Sequence, residues 1–166
     1  MELKTLNEIE IISAPHSKIS EVDFENLTFG NVFTDHMLVC DYVDGAWQKP
    51  VIEPYAPFMI DPSAKVFHYG QAIFEGMKAY KDEQDDVWLF RPDENYHRFN
   101  KSATRMAMPE VPEDIFLGGL HRLLEIEKEW VKKGKGNTLY IRPFMIATGH
   151  GVIAAPSQEY RFMIIL

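Results

Sequence analysis

Polar and apolar residues change period several times along the chain, and each change marks an element. HMLVCDY is a strand-like run, VDGAW follows it, and Asp44-Gly45 between them is a hairpin turn signal. AKVFHYG and MKAYKDEQDDVWLF read as further strands, the second broken by an acidic turn. The pattern then lengthens to a helical period. RPDENYHRFNKSATRM has Pro92 near its start, acids in its first turn and Arg105 near its end, with Tyr96, Phe99, Ala103 and Met106 on one side. A longer helix is predicted from about Glu113 to Lys133, with Phe116, Leu117, Leu120, Leu123, Leu124 and Val131 on one face and Gly134 as its C-cap. TLYIRPFMIA and YRFMIIL return to strand character. Strands, two helices, then strands predict an α+β domain, a mainly antiparallel sheet with two helices packed on it.

Three stretches carry candidate chemistry. In LYIRPF the side chains alternate, so Tyr140 and Arg142 share the face opposite Leu139 and Ile141. That pair suits an edge strand with one wet face, where Pro143 belongs, or a pocket that receives a carboxylate. On the first helix Arg98, Ser102 and Arg105 recur at i, i+4 and i+7, either a solvated polar face or an anion site. HYGQAIFEGMKAY reads as a strand with Phe67 and Tyr69 on one face, leading to a turn that carries Phe74 between Gly70 and Gly76.

Composition narrows the classes. The 166 residues fit a single domain, 46% are hydrophobic and 25% charged, and the net charge is −8. The acidic balance, with no basic run longer than KKGK, argues against nucleic acid and anionic membrane partners. No apolar run approaches the ~18 residues of a membrane span, and MELKTLNEIEI does not read as a signal peptide. The lone Cys40 cannot form an internal disulfide, which agrees with a cytoplasmic setting. No phosphate-binding glycine loop and no metal-spaced Cys/His cluster is present. His16, His36, His68, His97, His121 and His150 are scattered and read as ordinary surface or packed histidines. A chain ending on the apolar run YRFMIIL is expected to continue as a longer protein.

HYGQAIFEGMKAY, then LFRPDENYHRFNKSATRM, then LYIRPF, with FGNVFTDHMLVCDY ahead of them, resembles the small amino-terminal domain of the branched-chain aminotransferases, pyridoxal-phosphate enzymes of the D-amino-acid-aminotransferase-like fold. The resemblance covers roughly Phe29 to Leu166, leaving 1–28 as an amino-terminal extension. It implies that Arg98 holds the cofactor phosphate, and that Tyr69 and Phe74 line the substrate pocket. Tyr140 and Arg142 then lie where the amino donor's side chain is received. Gly151 and Val152, in GHGVIAAP, match a turn that reaches the neighbouring subunit's active site in a homodimer. The reaction implied is ping-pong transamination between leucine, isoleucine or valine and 2-oxoglutarate, with Arg142 meeting the distal carboxylate of glutamate. The Schiff-base lysine belongs to a larger domain absent from this chain, and Lys78 reads as a strand lysine, so the 166 residues alone are expected to be inactive. A D-amino-acid transaminase, an aminodeoxychorismate lyase, and a non-catalytic dimerisation or binding module are the alternatives.

Overall fold

A computed structural model describes residues 9–166. Nine strands among these residues join in one sheet: β1 (Glu10–Ile11), β2 (His36–Val43), β3 (Ala46–Trp47), β4 (Val51–Pro54), β5 (Ala72–Phe74), β6 (Met77–Lys81), β7 (Val87–Leu89), β8 (Leu139–Ala147) and β9 (Tyr160–Ile165). The main path runs β1-β4-β2-β9-β8-β6-β7, with β3 beside β2 and β5 beside β8. All pairings are antiparallel except β1 with β4. The predicted hairpin forms, with Asp44 at φ 53° and Gly45 at φ 78°, the positive angles that a two-residue turn of matching twist needs.

A short helix, α1 (Lys65–Tyr69), leads into β5, and two more helices cover one sheet face. α2 (Pro92–Arg105) and α3 (Gly119–Ile126), the latter preceded by a wide turn over Asp114–Gly118, lay Phe99, Ala103, Phe116, Leu120 and Leu123 on Leu38, Ile141, Met145 and Phe162. Phe99, Phe116 and Phe162 stack within 5.3–5.5 Å of one another. Each is removed from water and stabilises the fold by about 1.5–3 kcal/mol. The opposite face stays open around Phe74, Tyr140 and Arg142, while Met37, Val39 and Met163 gather a smaller apolar cluster with Tyr55 and Phe144. No helix among the described residues is long and apolar enough to cross a membrane.

Several sequence expectations need correction. AKVFHYG is not a strand: Lys65–Tyr69 form the one-turn α1, closed by Gly70 at φ 61°. Its aromatic content gave the strand reading, but the segment pairs with no strand among the described residues. The strand begins two residues later, so Phe74 sits on β5 rather than in a turn. The second long helix stops at Ile126, and a single tight turn follows over Lys128–Trp130. Glu127 ends the helix because its carboxylate accepts from His36 Nδ1 and from the Asp35 amide on β2's approach. Gly134 therefore lies eight residues past the helix and caps nothing. Met106 falls just beyond α2 and is exposed.

Nor is LYIRPF an edge. β8 is flanked by β9 on one side and by β5 and β6 in turn on the other. Pro143 is tolerated inside the sheet because its missing N–H falls where β5 gives way to β6. There the Glu75 amide still donates to the Pro143 carbonyl at 2.9 Å. The register runs through this break unchanged, from Phe74 opposite Phe144 to Met77 opposite Ile141, and so sets Arg142 opposite Gly76.

Candidate active site

Strand alternation aims Tyr140, Arg142 and Phe74 out of the open sheet face. Arg142 Nη2 donates to the Tyr140 hydroxyl at 2.8 Å, and the guanidinium carbon lies 4.3 Å from the Phe74 ring centroid and 5.4 Å from that of Tyr140. Such stacking suits a planar cation, which is less strongly hydrated than an ammonium. Yet Arg142 Nε is buried with no hydrogen-bond partner among the described residues. An unpaired buried donor is costly, and here it belongs to a residue whose N–H fork fits a carboxylate.

The Tyr140 ring is fixed from two sides. Phe29, from the segment ahead of β2, meets it edge-on at 5.0 Å. On the other side Gly76 leaves room for the Tyr140 hydroxyl; a Cβ on Gly76 would overlap that oxygen and come within 3.1 Å of Cζ. Glycine is therefore dictated by the phenol lying across the backbone. A cleft of about 480 Å³ opens beside this group, lined by Phe29, Val32, Leu139, Tyr140, Arg142 and Leu166 among others. Its wall is mostly apolar with one phenol and one cation, a surface fit for an aliphatic chain and for a single anionic terminus.

Arg98 stands on the opposite, helix-covered face. Its Nε and Nη2 donate to the two Glu75 oxygens at 2.6 and 2.7 Å, a bidentate pair. The two partners differ in exposure: the Glu75 side chain is 5% accessible and that of Arg98 67%. Asn95 Nδ2 adds a third donor to Glu75 at 2.9 Å. Burial pushes the Glu75 carboxyl up, but the bonds from Arg98 and Asn95 and the Arg98 charge outweigh it and hold the group below the usual carboxylate range. In the row of Arg98, Ser102 and Arg105 the Ser102 hydroxyl donates to the Arg98 carbonyl of its own helix. The guanidinium keeps Nη1 free of any partner among the described residues and faces solvent.

Tyr69, Gly151 and Val152 meet at the far end of β5 and β8. The Tyr69 hydroxyl donates to the Val152 carbonyl, and the Gly151 amide donates to Ser63 Oγ at 3.1 Å. The seven candidates thus fall into three groups: Phe74 with Tyr140 and Arg142, Tyr69 with Gly151 and Val152, and Arg98 alone. Glu75 and Phe29 escaped the sequence reading as site residues, and Gly76 entered it only as the edge of a turn. Alternation offered a signal for the first: Ile73, Glu75 and Met77 share the core face, and a buried acid there demands a cation.

No protein-family model matches the chain. It is 52% identical over 145 residues to branched-chain-amino-acid transaminase 1 of Bacillus subtilis, an alignment that covers 87% of this chain and 41% of that protein. The fold is similar to that of the branched-chain aminotransferase from Thermoproteus uzoniensis crystallised with norvaline, with a TM-score of 0.55 and 18% identity over 79% of this chain and 40% of that one. It is also similar to the PLP-bound holo form of the branched-chain amino acid aminotransferase from Thermobaculum terrenum, at a TM-score of 0.55 and 17% identity over 77% of this chain and 39% of the other. The chain spans about two-fifths of the length of the relatives it matches. Over most of its length the chain is thus similar in sequence to part of the branched-chain-amino-acid aminotransferases, and its fold is similar to that of the corresponding part of the solved ones.

Proposed function

We propose that residues 29–166, behind an extension formed by 1–28, are the small domain of a branched-chain-amino-acid aminotransferase working as a cytoplasmic homodimer. The complete protein exchanges the amino group of leucine, isoleucine or valine with 2-oxoglutarate. The Schiff-base lysine comes from the part of the family's length that this chain does not span. One observation carries this reading: the Arg142 guanidinium, with no carboxylate partner among the described residues, stands beside Tyr140 at the wall of a largely apolar cleft.

The residues present fit pyridoxal phosphate. Arg98 offers an exposed guanidinium whose Nη1 is uncommitted, while Glu75 fixes its other edge, so a phosphate oxygen can be taken without releasing the ion pair. When bound, the cofactor supplies the electron sink for breaking the Cα–H bond. This chain's own residues position the substrate. Phe29 and the Tyr140 ring line the cleft, with Phe74 stacked on Arg142 beside them, an apolar surface for an aliphatic side chain. For glutamate, the Arg142 guanidinium, which no carboxylate pairs with among the described residues, supplies the charge, and Tyr140 keeps the fork from swinging away. One pocket then accepts either a hydrocarbon or a carboxylate.

The test is transfer from L-leucine to 2-oxoglutarate by the complete protein, followed as glutamate formed. Transfer from D-alanine without transfer from L-leucine assigns the sister enzyme of the same fold. Absence of both, in a protein that remains dimeric, assigns a binding module.

A further inference from the structure

Lys65 is buried, at 9% accessibility, and among the described residues no carboxylate pairs with it. Its Nζ instead donates to the Ala155 carbonyl at 2.6 Å and the Pro156 carbonyl at 3.3 Å. Its backbone amide donates to the Gly149 carbonyl at 3.0 Å. One residue thus grips both ends of the loop between β8 and β9. Neighbours on the same short segment hold the middle: Ser63 accepts the Gly151 amide through its carbonyl and its hydroxyl, each at 3.1 Å, and the Tyr69 hydroxyl donates to Val152. Past these anchors Val152 and Ile153 stand 65% and 75% exposed, an apolar tip on a tied base.

A buried ammonium without a counter-ion is costly, and a straight-chain apolar residue would fill the same space without that cost. What lysine adds is several N–H donors on one atom, enough to satisfy two carbonyls at once. We propose that Lys65 is a positioning residue: it clamps the 149–156 loop and fixes the pose in which Val152 and Ile153 are presented to a substrate's aliphatic side chain. The second half of this inference rests on the aminotransferase reading of Gly151 and Val152. The first half stands on the hydrogen bonds alone.

The experiment uses the complete protein with Lys65→Met, of similar length and without donors. Hydrogen exchange at the Gly151 and Ala155 amides is expected to quicken by about tenfold or more. The KM for leucine is expected to rise about fivefold or more, with kcat within about twofold of wild type. Uniform binding to the side chain is then lost while the chemistry is kept. A general loss of fold lowers kcat and cofactor retention together instead. Ser63→Ala removes one grip on Gly151 and should shift both readouts the same way by less; it carries the test if Lys65→Met does not fold. Unchanged loop exchange overturns the clamp. Faster exchange with an unchanged leucine KM overturns the link to substrate. If the wild-type protein does not transaminate leucine, the functional reading fails, and quicker exchange in the variant still supports the clamp.

Discussion

The Tyr140 hydroxyl receives a hydrogen bond from Arg142 while the same guanidinium leaves its Nε buried and unsatisfied. The phenol fixes the fork, and among the described residues no carboxylate pairs with its charge. Arg142→Met in the complete protein should therefore separate the two amino donors. Glutamate and 2-oxoglutarate should lose about tenfold or more in kcat/KM, since a hydrogen bond to a charged group is worth about 1.5–3 kcal/mol. Leucine should change much less, because it brings no carboxylate to orphan. Single-turnover rates with each donor check this, and equal loss for both would end the dual-specificity reading.

Gly76 and Tyr140 compete for one space, so Gly76→Ala should act as an indirect mutation of Tyr140. Overpacking of this kind costs about 1–3 kcal/mol, and the displaced phenol should also release Arg142. Tyr140→Phe added to Gly76→Ala removes the oxygen that clashes and should recover part of the lost stability. A double-mutant cycle in urea measures the coupling; simple additivity would show that the two side chains do not meet.

Arg98→Ala is expected to weaken pyridoxal phosphate retention in the complete protein and to lower the melting temperature, because buried Glu75 loses its main partner. The pH dependence has a definite sign. The Glu75 carboxyl is depressed in the folded state, so its contribution is present above its unfolded pKa and is lost as pH falls through the lower folded value. The gap in melting temperature between wild type and Arg98→Ala should thus be widest near neutrality and close on acidification. A gap that widens in acid would contradict the pairing.

Glu127 sits at the end of α3 with both oxygens used by β2's approach, His36 Nδ1 on one and the Asp35 amide on the other. The Ala14 amide donates to His36 Nε2 at 2.8 Å, which leaves the imidazole neutral with its proton on Nδ1. Glu127→Ala strands two buried donors and should cost about 2–4 kcal/mol. Glu127→Gln keeps one acceptor for His36 and strands only the Asp35 amide, while removing a carboxyl pushed up by burial, and should cost less, about 1–2 kcal/mol. Denaturant midpoints of the two variants decide it.

What could be read in the sequence was local. The Asp44-Gly45 turn, the alternation of LYIRPF and the start of α2 at Pro92 each follow from neighbours a few residues apart, and each is where it was expected. Errors came where a distant partner decides. Glu127 is a good helix former on propensity, but a histidine 91 positions earlier takes its carboxylate and the helix ends there. AKVFHYG carries strand-like residues, yet its place is set by carbonyls near residues 149 and 155 that no short window contains. At the site, Tyr140 and Arg142 were legible because two residues of one strand must share a face. Glu75's hold on Arg98 was not, because 23 positions separate them and spacing alone names no partner.

The β2–β9 pairing has a consequence for how the molecule is made. Tyr42 lies opposite Tyr160, so the middle of the sheet joins strands nearly 120 positions apart in the chain. At a synthesis rate of about 5–20 residues per second, β2 waits on the order of ten seconds for the neighbour that completes its ladder. During that interval the β2–β3–β4 unit is finished on the β4 side and bare on the other, with Leu38 and Cys40 still lacking Phe162 and Ile164 beside them. Such long-range closure slows folding. The nascent chain thus exposes an unpaired apolar strand until nearly the last of these residues has emerged, a period in which a holding chaperone, or a second ribosome's nascent chain, competes for the same edge.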